Sequence, residues 1–236
     1  VSLKLSKGNA KLGKDVYVFS LPAGYSCPGA RDCKSRAVVT NGKAKVVDGK
    51  HTRFRCFAAS QEAQYPATRV ARWHNYELLK AAKTEPKMAD LILSALPKKA
   101  AKIRIHASGD FFSQAYFDAW LLAAKMRKDY TFYAYTKSIK YWVKRIDKIP
   151  QNFILTASHG GSQDQWIMPC MRTATVVYSE QTAADLGLEI DHDDSLAMNH
   201  GPDFALLLHG TQPKGSDASK AKEKLKVVSN WTGYKR

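Results

Sequence analysis

The chain holds four cysteines, Cys27, Cys33, Cys56 and Cys170, separated by 5, 22 and 113 residues. Thiolates are ligands for soft metals, so the intervals between them carry information. Structural zinc sites draw ligand pairs from knuckles two to four residues apart, and none of these intervals is that short. An iron–sulfur cluster is a larger body, and its thiolates come from well-separated loops. Pro28 after Cys27 and Pro169 before Cys170 suit stiff loops that present sulfur. The spacing is compatible with an iron–sulfur cluster, such as one [4Fe–4S] cluster held by all four cysteines, and zinc stays open as the alternative metal. For any single cysteine the competing reading is a small buried hydrophobe. Arg31, Lys34, Arg36, Arg53 and Arg55 lie beside three of the cysteines in sequence. Positive charge there favours thiolate and raises a cluster's potential, but it would equally suit a phosphate backbone.

Other reactive side chains fall where strands are expected to end. "KIRIHAS", "TFYAYTKS" and "NFILTAS" lead into His106, Asp110, Lys137 and His159. These four are the candidates to tune a metal by hydrogen bonding or to handle protons. Lys137 also has the chemistry of a Schiff-base or phosphate-binding lysine. No G-x-S-x-G elbow is present to support a serine hydrolase. "DHDD" at 191–194 lacks the glycine and ligand spacing of a calcium loop, and is expected to be a solvent-exposed acidic loop.

The elements that must place these residues alternate along the chain. Strands are predicted at "KDVYVFS", 102–108, 131–138, 152–158, 173–179 and 204–210. A hairpin is expected at Asn41-Gly42. "QYPATRVARWHNYELLKAAK" and "TEPKMADLILSAL" have helical spacing, and "SQAYFDAWLLAAKMRK" is a helix capped by Ser113. Shorter helices begin near Ser138 and at "EQTAADLG", and "SDASKAKEKLK" reads as a final exposed helix. Strands alternating with helices predict a mostly parallel α/β sheet, as a partial or complete β/α barrel or as an open doubly wound sheet. The chain is expected to form one domain over 1–236, with the cysteine-bearing part, 1–60, packed over one end of the sheet. In such folds the C-terminal strand ends build the site.

The formal net charge of +16 is unevenly spread. Residues 1–172 hold 30 basic against 12 acidic residues, residues 173–213 hold no Lys or Arg and seven acids, and the remainder is basic again. A basic chain attracts polyanions, so a nucleic-acid partner bound around a structural metal is the alternative to a redox role. Lysines outnumber arginines by 26 to 11, which also fits a solvated surface. No apolar run reaches the ~18 residues of a membrane span, and no signal peptide is evident. A soluble, cytoplasmic protein without a membrane partner is expected, and in a reducing compartment metal binding is favoured over disulfides.

"LSKGNAKLGKDVYVFSLPAGYSCPGARDC", "IHASGDFFSQAYFDAW", "FYAYTKS" and "LLLHGTQPKGSDASK" resemble the phage gene-product-88-like family, over most of the chain. The resemblance implies a phage-encoded protein made in the cytoplasm of the infected bacterial host. It also implies that the cysteines bind an iron–sulfur cluster, with Cys27, Cys33 and Cys56 at matching positions and Cys170 carried over. Relatives have further cysteines where this chain reads "EIDHDDSLAMNHGPD", so a single cluster is implied. The activity expected is redox, either electron transfer to an unidentified partner or reduction of a small substrate.

Overall fold

A computed structural model describes residues 2–8, 12–13, 15–99 and 101–229. Part of the opening motif, Asn9, Ala10, Lys11 and Lys14, lies outside the described residues. The strands are β1 (Leu5–Lys7), β2 (Val16–Phe19), β3 (Ser35–Thr40), β4 (Lys43–Asp48) and β5 (Lys102–Ile105), followed by β6 (Thr131–Thr136), β7 (Phe153–Ser158), β8 (Thr173–Val177), β9 (Glu189–Ile190) and β10 (Phe204–Leu207). The helices are α1 (Phe57–Gln64), α2 (Pro66–Ala82), α3 (Glu85–Ala95), α4 (Gln114–Met126), α5 (Ile139–Val143), α6 (Glu180–Asp185) and α7 (Asp217–Ser229).

Eight strands form one sheet in the order β1-β2-β5-β6-β7-β8-β10-β9. Every pairing from β2 to β9 is parallel, and β1 alone is antiparallel, on β2. The sheet is open, with β1 and β9 as its edges, so the expected complete barrel is not formed. Through β2, β5, β6, β7 and β8 the order advances in one direction, and it turns back only at the edge, where β10 lies between β8 and β9.

Period-two alternation divides the sheet's residues between two faces. Tyr17, Phe19, Ile103, Ile105, Phe132, Ala134, Phe153 and Leu155 join the main core with α2, α3, α4 and α5. That core is strongly aromatic, with Phe111 edge-on to Phe117 at 4.8 Å and Phe19 edge-on to Trp120 at 5.4 Å. Such pairs each add about 0.5–1.5 kcal/mol beyond area burial. Ser113 caps α4 as its sequence predicts, accepting the Tyr116 amide at 3.2 Å. Ser138 stands at the start of α5 without capping it; its hydroxyl donates instead to the Phe111 carbonyl at 2.8 Å.

The other face carries Val16, Val18, Tyr133, Ile154 and Phe204, and the segment 191–199 covers it. Asp191 and Asp194 are each 1% exposed, which corrects the expectation of a solvated acidic loop. Arg104 pairs with Asp194 at 2.6 Å, the Tyr133 hydroxyl donates to Asp194 at 3.3 Å, and the Tyr135 hydroxyl donates to Asp191 at 3.4 Å. Arg172 closes the segment by donating to the carbonyls of Leu196 at 2.8 Å and Ala197 at 3.1 Å. Alternating charges within a strand and a loop met each other, which neither stretch reveals alone. The final helix also differs from expectation: Ala218 and Leu225 of α7 are buried, and Leu225 packs with Val177, Ala183, Ala205 and Leu207.

The predicted hairpin forms as β3–β4, with Asn41 and Gly42 both at positive φ, the requirement of a type I′ turn. Its inner face rests on α1 through Val46, Ala58 and Ala59.

Candidate functional site

The strand ends and the residues before α1 enclose a cavity of about 650 Å³, within the range of small-molecule sites. Cys27, Cys33 and Cys56 line it, together with His106, Asp110, Lys137, Ser158 and His209. Three of the four cysteines, from separate stretches of chain, therefore face one space. Cys170 does not: it is exposed, in the turn before β8, and is not among the lining residues. His159 is half-buried and also lies off the cavity wall.

The loop bearing Cys27 and Cys33 is fixed by its backbone. The Asp32 amide donates to Gly160 at 2.9 Å, the Ser162 amide donates to Gly29 at 2.8 Å, and Ala30 forms a bridge with Gly161. Lys34 Nζ donates to the Cys27 carbonyl at 2.7 Å. Gly29 lies so close to β6 that an added Cβ would overlap the Lys137 carbonyl. We expect Gly29→Ala to push this loop off the strand end and to cost about 1–3 kcal/mol, as overpacking does. Urea unfolding at unchanged m-value would measure it; a stability equal to wild type would mean the loop adjusts freely.

Cys56 stands at the start of α1, whose Glu62 is fully buried. Glu62 Oε1 accepts from the Ala23 amide at 2.8 Å, from Arg72 Nη1 at 2.9 Å and from Ser108 Oγ at 3.3 Å. This carboxylate joins the cysteine loop, both flanking helices and the end of β5. Sequence reading did not identify α1, because "FAASQEAQ" has weak amphipathic patterning, nor Glu62 or Arg72, which are distant from any motif.

Burial raises the Cys27 thiol well above the ordinary range, reinforced by the charges of Asp110, Cys56 and Cys33. Burial, then the neighbouring Cys33, pushes Cys56 up to about 11, against which the amides of Ala59 and Ala58 and the charge of Arg72 pull downward. The surface these thiols retain opens on the cavity. Cys27 and Cys56 resist ionisation chiefly through burial and then through neighbouring negative charge, which a cation would offset. Among the described residues, no group of three or more His, Cys, Asp or Glu side chains is placed to hold a single metal ion. Of the arginines beside the cysteines in sequence, Arg55 lines the cavity while paired with Asp48 at 2.6 Å, and Arg31 pairs with Asp32 at 2.8 Å.

Asp110 is buried and accepts from Thr136 Oγ1 at 2.6 Å, the Lys137 amide at 2.8 Å and the Phe111 amide at 2.7 Å. Burial nonetheless raises its carboxyl above the usual range. Its bonds tie the end of β5 to the end of β6, so its evident work is positioning. Lys137 Nζ donates to the Ser158 carbonyl at 3.3 Å and to the Ser158 hydroxyl. His106 ends β5 with φ of 68°, and burial pushes its imidazole down to about 3. Burial thus favours its neutral form at physiological pH.

Among the described residues, no helix is long and apolar enough to cross a membrane. A family model described as Gene product 88 matches residues 3–228. The Gene 88 protein of Mycobacterium phage D29 is 34% identical over 140 residues, covering 55% of this chain and 50% of that protein. The Gene 88 protein of Mycobacterium phage L5 is 32% identical over 140 residues, covering 55% and 51%. The chain spans about half the length of these curated relatives. No solved structure matches it.

Proposed function

We propose that this chain, which belongs to the Gene product 88 family, is a phage-encoded iron–sulfur protein acting on a small molecule by redox chemistry in the host cytoplasm. The observation that carries the reading is the convergence of Cys27, Cys33 and Cys56 on one cavity. A zinc ion draws its sulfurs to ~2.3 Å from a common centre. These thiols line one space without meeting at a point, a disposition better suited to a polynuclear body. Cys27, Cys33 and Cys56 would hold a [4Fe–4S] cluster, and with Cys170 outside the cavity the ligand set is reduced from four to three. Such a group, when bound, supplies electrons and an iron not capped by protein sulfur. The chain's own residues hold the ligand loop in place through Glu62 and Gly29, Asp110 fixes the adjoining strand ends, and the buried cations Arg72 and Lys137 would offset negative charge.

Iron and acid-labile sulfide, quantified anaerobically on freshly purified protein, test the proposal. About four of each per chain are expected, with visible absorption that dithionite bleaches reversibly. Zinc at about one per chain without sulfide would transfer the site to the alternative metal.

A second reading rests on the outward face of β3–β4. Arg36, Lys43 and Lys45 are exposed there and share the face with Val38, Thr40 and Val47, so it carries no acid. A basic β-ribbon is one of the elements that enter nucleic-acid grooves. Binding to a short duplex that weakens steeply with salt, and weakens further on neutralising those three cations, would support it.

A further inference from the structure

Outside the cavity, the cysteine loop borders an exposed aromatic patch. Tyr25, two residues before Cys27, is 37% exposed. Its ring meets Trp73 of α2 edge-on at 4.9 Å, and Trp73 meets Tyr76 edge-on at 5.8 Å. None of the three lines the cavity. Val70, 61% exposed, lies one helical turn before Trp73. Val47 is also exposed and stands opposite Arg36 on the β3–β4 ribbon. Arg36 links ribbon and helix, its guanidinium 5.6 Å from the centre of the Tyr25 ring. Apolar groups exposed singly need no explanation, whereas a contiguous set marks an interaction site.

The patch is bordered by positive charge. Lys43 and Lys45 continue it along the ribbon, and Lys80 stands over the Tyr76 ring at 5.4 Å. Two carboxylates belong to the same elements: Glu77 of α2 is exposed, and Asp48 of β4 is held by Arg55 at 2.6 Å. Aromatic and arginine side chains within a polar rim have the composition of a protein interface. Single-stranded nucleic acid needs open ring faces on which its bases stack. Here Arg36 stands over Tyr25, Lys80 over Tyr76, and Trp73 meets both rings edge-on. A protein with an acidic surface therefore fits better than a nucleic acid.

The patch also adjoins the proposed ligand set. Burial, then the charge of Cys27, raises the Tyr76 phenol, so that ring lies within electrostatic reach of the thiol. A patch of this small extent suits the brief encounters that electron carriers make.

We infer that this face docks a small acidic electron-carrier protein, whose carboxylates meet Arg36, Lys43, Lys45 and Lys80 and whose apolar centre covers Tyr25 and Val70. The inference rests on the iron–sulfur reading: the reduced carrier gives up one electron, the cluster takes it, and the cavity stays free for substrate.

An acidic [2Fe–2S] ferredoxin is the probe. Calorimetry with its oxidised form should show saturable binding that weakens as salt rises. Arg36→Glu and Tyr25→Ala should each weaken it by about tenfold. Lys224→Glu makes the same change of charge on α7, which packs on β8 and β10 at the far end of the sheet, and should leave the affinity unchanged. In stopped flow below saturation, reduced ferredoxin should bleach the cluster about tenfold more slowly in Arg36→Glu, while dithionite, which needs no docking, bleaches both proteins alike. No saturable binding by the wild-type protein, or equal weakening by Lys224→Glu, overturns the inference even if the patch variants misfold. A short DNA duplex that binds the same residues more tightly than ferredoxin would assign the face to nucleic acid and overturn it as well. Ferredoxin binding by protein devoid of iron and sulfide would keep the docking face and remove the cluster; a full, dithionite-bleached cluster with silent calorimetry would remove only this inference.

Discussion

Cys27→Ser, Cys33→Ser and Cys56→Ser should each lose more than about tenfold in retained iron and sulfide, while Cys170→Ser keeps the wild-type content. The three line one cavity, and Cys170 is exposed away from it. A serine hydroxyl does not ionise near neutrality, so each replacement removes a ligand with little change of volume. Far-ultraviolet circular dichroism should be unchanged in all four, separating lost ligation from lost fold. An equal loss in Cys170→Ser would return the site to four thiolates and would require the turn before β8 to move to the cavity mouth. Full retention in all three cavity variants would leave these cysteines as small hydrophobes.

Glu62→Ala should destabilise the protein by about 3–5 kcal/mol, the cost of stranding one member of a buried ion pair. Arg72 would lose its carboxylate partner at 2.9 Å while keeping the Ala58 carbonyl at 3.0 Å and Gln61 at 2.9 Å. The buried Ala23 amide would lose its acceptor as well. Urea denaturation measures the change. The double variant Glu62→Leu, Arg72→Met removes both charges and should recover part of the loss, because a well-packed apolar pair is often no worse than the ion pair. A Glu62→Ala cost below about 1 kcal/mol would mean that water reaches Arg72 and the carboxylate does not hold α1 to the cysteine loop.

What the sequence revealed and what it concealed follow from the range of the interactions concerned. Short apolar strands such as Val16–Phe19 and Phe153–Ser158 were legible because a brief run of this kind fits a strand covered on both faces, the second being buried along its whole length. The Asn41-Gly42 turn and the Ser113 cap were legible because both are local chemistry. Strand-end clustering located Asp110 and Lys137 at the cavity, whereas His159 stands off its wall. Glu62, Arg72 and Arg104 escaped notice because their partners are remote: Ala23 is 39 residues from Glu62, and Asp194 answers Arg104 from another crossover. "DHDD" was misjudged for the same reason. An acid cluster looks solvated until the arginines that neutralise it are brought alongside.

The one-directional strand order has a consequence for synthesis. β2, β5, β6 and β7 can pair in turn as they leave the ribosome, and Cys27, Cys33 and Cys56 emerge early. The floor beneath them, made by Asp194 against Arg104, is completed only when a much later stretch is translated. A nascent chain thus spends an interval with its three cavity cysteines already made and the Asp194 side of the cavity not yet in place.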